Sequence, residues 1–251
     1  MYKRQAVKKK LNGFELAVEN GEVYEKEVLG ILGQNALGKT TFARILAGEI
    51  KADGGKVEGK VKISYKPQYP KVEFQGTVEE FLKKECDSFG TKEFKNMIIG
   101  PLGLLKLMEK NVQNLSGGEF QRVVIASCLG KEADVYLLDE PSAYLDVEQR
   151  LALAKIIRKI VETRSSAAMV IDHDLTFLSQ IADRAMVFLG EPARRGFASR
   201  PQSVRDAFNA FLKEVGVTFR KDPQTGRARA NKLGSQLDIR QKEMGVYFYV
   251  N

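Results

Sequence analysis

Two cysteines, one histidine and no long apolar run are the first features of this 251-residue sequence. Cys86 and Cys128 stand far apart with no C-x-x-C pair, which excludes a disulfide framework and a cysteine-ligated metal cluster. Both are expected as buried packing residues. No stretch approaches the roughly eighteen apolar residues of a membrane span. Residues 1–10 are basic, but no apolar segment follows, so no secretory signal is read and a cytoplasmic chain is expected. Acidic charge is also scarce: 40 Lys plus Arg against 32 Asp plus Glu gives +8. That balance points to nucleic acid or another anionic surface only where it is concentrated. Residues 1–10 hold five basic and no acidic groups, residues 191–251 twelve and six, and the stretch between them 23 and 26. The excess sits at the two ends of a mildly acidic body.

At 43% hydrophobic and 29% charged residues, the composition is that of a soluble globular chain, one domain with room for an extension. Strand and helix patterns alternate without an internal repeat. Strands are expected at Phe14–Val18 (with Asn20-Gly21 as a turn behind), Val28–Leu32, Val61–Tyr65, Asp134–Leu138, Ala168–Ile171 and Ala185–Phe188. Helices are expected over Thr40–Leu46 and Gln149–Glu162, and over 77–114 with a break at Gly100-Pro101. Thr77 and Glu80 have the spacing of a capping box. The pattern predicts an α/β fold around a parallel sheet.

Three strings carry chemistry. Gly33-Gln34-Asn35-Ala36-Leu37-Gly38-Lys39-Thr40 fits G-x-x-x-x-G-K-[ST] between a buried strand and a helix. Backbone N–H groups of such a loop cradle phosphates, Lys39 reaches the β- and γ-phosphates, and the Thr40 hydroxyl suits Mg²⁺. Val135-Tyr136-Leu137-Leu138-Asp139-Glu140 is an apolar strand ending in two carboxylates. Asp139 is placed to hold the Mg²⁺ shell and Glu140 to act as general base on water. The third string, Leu115-Ser116-Gly117-Gly118-Glu119-Phe120-Gln121-Arg122, starts a helix-patterned stretch. It resembles the signature of ABC-type ATPases.

The other landmarks of that family occur in order: Gln68 matches the glutamine loop, Ser142-Ala143-Tyr144-Leu145-Asp146 the D-loop, and Ile171-Asp172-His173-Asp174 the switch histidine. A lone histidine is usually structural. The resemblance instead implies that His173 contacts the γ-phosphate. It covers residues 14–190 and implies a P-loop NTPase of ABC ATPase type. The parts are an antiparallel β subdomain, a helical subdomain near 77–114 within a domain over 1–190, and a basic C-terminal hinge over 191–251. ATP and Mg²⁺ are the implied cofactors. One face of the nucleotide is expected on Gly33, Gln34, Asn35, Ala36, Leu37, Gly38, Lys39, Thr40 and Thr41. The other face falls to Ser116, Gly117, Gly118 and Asp146, with Leu11 near the adenine. Thr40, Gln68 and Asp139 are the implied metal residues, and Glu140, His173 and Gln68 the catalytic ones.

In this family the signature faces a nucleotide held on another domain, so one chain with one phosphate loop and one signature implies a partner ATPase domain, in cis or as a homodimer. Gly190-Glu191-Pro192 and the stretch Phe219–Lys232, with Arg220, Lys221, Arg227 and Arg229, resemble the second hinge segment of ABC subfamily E, the RNase-L-inhibitor type ribosome-recycling ATPases. Lys66-Pro67-Gln68 and Glu140–Asp146 agree with the second ATPase domain of that branch. The resemblance implies work in splitting ribosomes, with the small ribosomal subunit, its rRNA and a release-type factor as partners and no membrane. The basic strip itself reads either as a face for rRNA or a partner domain, or as a solvated surface. Alternatives are the ATPase subunit of a transporter or a truncated nucleotide-binding interaction module. Only 47 residues separate Gln68 from Ser116, too few for the coiled-coil insertion of DNA-repair ABC ATPases.

Three departures stand out. An iron–sulphur domain and a first ATPase domain are missing, so the chain is expected to be a fragment, half of a split gene or a reduced relative. Gln34 and Ala36 stand where the family usually has Pro and Gly, and a positive φ at Ala36 would add strain. The position of the adenine-stacking aromatic falls on Leu11, which offers no π-face, with Tyr2 a distant substitute. Weak adenine recognition is expected, which nanomolar ATP affinity with strong purine discrimination would contradict.

Overall fold

The computed structural model describes residues 2–4, 6–11, 13–55, 61–222 and 228–248. Four strands come first, β1 (Tyr2–Arg4), β2 (Val7–Leu11), β3 (Phe14–Val18) and β4 (Gly21–Val23). Strand β5 (Val28–Gly33) is buried throughout and leads through a loop to α1 (Lys39–Leu46) and then β6 (Ile63–Lys66). The helical region holds α2 (Val78–Glu85) and α3 (Lys92–Phe94), after which α4 (Gly117–Leu129) returns the chain to β7 (Val135–Asp139). Next come α5 (Val147–Thr163), β8 (Ala167–Ile171), α6 (Leu175–Ile181) and β9 (Arg184–Glu191). The remainder holds β10 (Arg195–Ala198), β11 (Gln202–Ser203), α7 (Val204–Val215), β12 (Phe219–Lys221), β13 (Ala228–Ala230) and α8 (Gln236–Glu243).

The large sheet has the order β2-β3-β10-β9-β5-β8-β7-β6, with β11 beside β9. Strands β9, β5, β8, β7 and β6 run parallel, while β2–β3 and β9–β10 are antiparallel pairs. A parallel run this apolar needs cover on both faces. Alternation along β5 sends Val28 and Leu32 toward the face covered by α2, α4, α5, α6 and α7, and Leu29 and Ile31 toward α1 and β3. The loop after β5 and the ends of β7 and β8 meet at the carboxyl edge of the parallel strands, where ligands bind in open α/β sheets. No helix of the described residues is long and apolar enough to cross a membrane.

The expected strands appear with bounds shifted by up to three residues. Two sequence expectations change. Helix over 77–114 is shorter and more broken than its periodicity suggests: α2 stops at Glu85, and Lys95–Ile99 is a π-helical turn followed by two short 3₁₀ turns. Glycines at positive φ, Gly90 and Gly103, turn the chain there, and Phe81, Phe94 and Ile98 join the large core shared with β5, α4 and α5. The boundary expected at residue 190 falls inside β9. Gly190-Glu191-Pro192 belongs to a tight hairpin that returns as β10, which pairs in parallel with β3, and α7 then packs on β9 and β5.

The cover of the sheet therefore continues to Val215, and residues 216–222 and 228–248 follow as a C-terminal module joined to the same core by Phe248. Its Phe248 ring meets Phe208 of α7 edge-on at 4.7 Å between centroids. Asn209 Oδ1 accepts from the backbone N–H groups of Tyr247 and Phe248 at 2.7 and 2.8 Å. Inside the module, Thr218 Oγ1 donates to Asp238 Oδ1 at 2.6 Å and accepts from Asn231 Nδ2 at 2.9 Å. Gln241 Nε2 donates to the carbonyls of Phe219 and Val246. Thr218, Asn231, Asp238 and Gln241 are all buried.

Candidate functional site

The phosphate loop is shaped by packing beneath it. Gly38 caps α1 with φ 91°, and a Cβ there would stand 2.9 Å from the Phe14 ring, so only glycine fits. Ala36 has φ 61°, the strained case that its side chain makes costly. Lys39 is buried, its Nζ donating at 2.7 Å to the carbonyls of both Gly33 and Gln34. Burial lowers its pKa to about 8, against the pull of Glu140 and Asp139. Thr40 Oγ1 donates to Asp139 Oδ2 at 2.8 Å, which joins the two expected metal residues. Burial raises Asp139 to about 6; the Thr40 hydroxyl opposes that shift.

Glu140 leaves the end of β7 at φ 49°, and its Oε1 lies 2.8 Å from His173 Nε2. Asp172, beside that histidine, accepts from the Ser142 amide and hydroxyl at 3.0 and 2.8 Å, tying the D-loop to the end of β8. Burial raises the pKa of Asp172. Two buried side chains outside the expected set also reach this turn. Lys66 Nζ donates to the carbonyl oxygens of Asp139 (2.8 Å) and Glu140 (3.3 Å), and Gln121 Nε2 to those of Glu140 (3.0 Å) and Pro141 (3.1 Å). Burial lowers Lys66 to about 8. The sequence offered only one signal for the pair, their position inside the glutamine-loop and signature strings.

The structure thus brings together Gly33 to Thr41, Asp139, Glu140 and His173, and among the described residues no side-chain hydrogen bond joins the other expected site residues to them. Gln68 follows β6 half-buried. Ser116 caps α4 through a capping box with Glu119, whose carboxyl is held near 2 by Lys110 and by the Ser116 amide and hydroxyl. Ser116 and Gly117 are exposed, and among the described residues no hydrogen bond joins them to the phosphate loop. Gly118 lies so close to the Tyr144 carbonyl that a Cβ would stand 2.9 Å from it. Asp146 is exposed and caps α5, accepting from the Gln149 amide at 2.8 Å. Leu11 ends β2 opposite Phe14, 40% exposed. Tyr2's side chain lies outside the described residues.

The basic ends prove partly neutralised. Lys9 pairs with Asp53 and Lys10 with Glu15, each at 2.7 Å. Arg220 donates to Asn231 Oδ1 at 3.0 Å and Arg229 lies 3.5 Å from Asp222. Lys221's side chain and Arg227 lie outside the described residues.

For Mg²⁺ the donor chemistry fits: a hydroxyl and a carboxylate already bonded to each other supply the hard oxygens this ion prefers. Among the described residues no group of three or more His, Cys, Asp or Glu side chains could hold a metal, so the remaining positions would fall to water and phosphate. The ammonium of Lys39 and the turned loop suit a triphosphate.

Residues 16–143 match the ABC transporter family. Over 98% of its length the chain is 53% identical to an uncharacterized ABC transporter ATP-binding protein of Methanocaldococcus jannaschii, of which it covers 41%. Over its full length it is 40% identical to ABC transporter E family member 1 of Arabidopsis thaliana, of which it covers 42%. The chain thus spans about two fifths of the length of these curated relatives. An archaeal ribosome recycling factor, solved in complex with an archaeal ribosomal stalk protein, superposes with a TM-score of 0.92 at 46% identity over 99% of this chain and 48% of that one.

Proposed function

The chain belongs to subfamily E of the ABC ATPases, and from that premise we propose that it binds and hydrolyses ATP as one half of a two-domain motor that splits ribosomes into subunits. Lys39 exchanges its two loop carbonyls for the β- and γ-phosphates, while the loop N–H groups and the start of α1 orient the triphosphate. Thr40, Asp139 and Gln68 would hold Mg²⁺, which neutralises charge developing on the phosphates when bound. Glu140 takes a proton from water as the water oxygen bonds the γ-phosphorus; the bond to the β–γ bridging oxygen breaks, giving ADP and phosphate. His173, hydrogen-bonded to Glu140, is placed to steady both the base and the γ-phosphate.

One observation carries the two-domain reading. The phosphate loop, Asp139, Glu140 and His173 are assembled within this chain, whereas Ser116 and Gly117 stand exposed and unconnected to them. A capped helix N-terminus facing solvent is a ready second phosphate surface, and it would complete a site carried by another ATPase domain in head-to-tail closure. Similarity along nearly the whole chain to a ribosome recycling factor supports the ribosome as the load, with the small subunit, its rRNA and a release-type factor as partners.

Sedimentation with purified small ribosomal subunits tests the reading. The chain is expected to co-sediment when a non-hydrolysable ATP analogue is present and to dissociate with ADP. No nucleotide-dependent co-sedimentation, with stable binding to an ABC permease instead, would overturn it.

A further inference from the structure

Glu140 is held in an unfavourable backbone conformation. A non-glycine residue at φ 49° costs on the order of 1–2 kcal/mol, and such strain persists where the surroundings over-determine it. Here the surroundings are specific. The Glu140 amide donates to the Ile171 carbonyl at 2.8 Å. Its own carbonyl accepts from both Lys66 and Gln121, and the carbonyls on either side, Asp139 and Pro141, accept from Lys66 and Gln121 respectively. Three successive carbonyls are thereby fixed by two side chains from distant elements.

Lys66 makes the arrangement unusual. Its side chain is fully buried, and both hydrogen bonds of its ammonium go to main-chain oxygens. Burying an ammonium is costly, and an apolar residue would serve packing at the end of β6 equally well. What the lysine adds is the geometry of the Asp139–Glu140 turn. Gln121, 4% exposed, reaches the same turn from α4, five residues beyond Ser116. Lys66 stands two residues before Gln68. The segment that carries Gln68 toward this chain's own nucleotide, and the helix whose N-terminus would meet the partner domain's nucleotide, therefore both grip the backbone of the proposed general base.

We propose that Lys66 and Gln121 form a carbonyl clamp that sets the orientation of the Glu140 carboxylate, and that Gln121 links engagement of the signature end of α4 to that orientation. Neither side chain touches substrate; both are positioning residues. The clamp rests on the reading of Glu140 as general base. A displacement of its carboxylate by about 1 Å lowers turnover by up to about 100-fold without changing phosphate binding.

The test uses the full chain with its partner ATPase domain present and compares Lys66→Met, Gln121→Glu and Glu140→Gln. Gln121→Glu keeps size and shape but offers no donor to a carbonyl. Lys66→Met and Gln121→Glu are expected to lower kcat at least about tenfold, with KM and the dissociation constant for a fluorescent ATP analogue nearly unchanged; Gln121→Glu also lowers the melting temperature, because its carboxylate faces two carbonyl oxygens. Lys66→Arg, which keeps donors in place, is expected to recover part of the lost kcat. Unchanged kcat in folded Gln121→Glu, or a loss of nucleotide affinity as large as the loss of kcat, overturns the clamp; should Lys66→Met fail to fold, Gln121→Glu decides alone. If Glu140→Gln itself keeps full turnover, the general-base reading falls first, and the two failures are told apart.

Discussion

In the phosphate loop and the turns after β7, Ala36, Glu140 and Tyr144 all adopt positive φ without being glycine, while in residues 216–222 and 228–248 the described positive-φ positions are Gly216, Gly234 and Gly245. The buried charges differ in the same sense. Burial drives Asp139 up to about 6 and Lys39 and Lys66 down to about 8. Asp238 of the C-terminal module is instead drawn down to about 2 by the Thr218 hydroxyl, the Gly234 amide and Lys242. The module relaxes its polar groups against one another. The phosphate loop and the end of β7 keep their groups strained and only partly compensated, which is common where a fold holds residues for function.

The sharpest way to break that contrast is to remove the base. Glu140→Gln is expected to lower ATP turnover about 10²- to 10⁴-fold while leaving nucleotide binding intact, read by steady-state phosphate release beside equilibrium binding. Next comes the module's polar core. Thr218→Val leaves buried Asp238 and Asn231 each short of a partner, an expected loss of about 1–3 kcal/mol in the module's hydrogen-exchange protection, with ATP affinity unaltered. A change in affinity would mean that the two regions are not independent.

Backbone strain offers a smaller test with opposite signs. Ala36→Gly is expected to stabilise the chain by about 0.5 kcal/mol, the relieved strain less the added chain entropy. Gly216→Ala, at φ 70° with open space around a Cβ, is expected to cost about 1 kcal/mol. Denaturant midpoints of the two variants moving in the same direction would contradict the contrast.

Acid separates the regions as well. The Asp139 pKa is raised above its unfolded value of about 4, so its contribution to stability improves as pH falls from about 6 toward 4. That proton also weakens Mg²⁺-nucleotide binding over the same interval. The Asp238 pKa is depressed, so the stability it contributes is full above about pH 4 and is lost as pH falls toward 2. Hydrogen exchange followed by mass spectrometry is expected to show the module opening first below pH 4.

Legibility in the sequence follows the same division. Gly33–Thr40, Leu115–Gly118 and Asp139-Glu140 could be read because each site part is a contiguous string whose geometry is local. The buried strands could be read because a double-sided parallel strand is a plain apolar run. The clamp could not: Lys66 and Gln121 lie 74 and 19 residues from Glu140, and their burial is a property of packing. Thr218, Asn231, Asp238 and Gln241 look like loop and surface residues until Phe248 seats the module on α7. Gly190-Glu191-Pro192 has the composition of a linker and serves as a hairpin, because its next strand finds β3 across the sheet. The charge at the chain ends was correctly located by counting, but the acids that pair with it, Glu15, Asp53 and Asp222, only become visible in the fold.

On the proposed reading, the nucleotide site of this chain is completed only by the signature surface of a second ATPase domain. ATP turnover per chain, measured against chain concentration with light scattering reporting mass in the same samples, tests it most directly. Near-zero turnover in the monomer, rising as dimer or partner domain appears, is predicted. A substantial rate per chain that stays constant across concentration while the mass remains monomeric would contradict it.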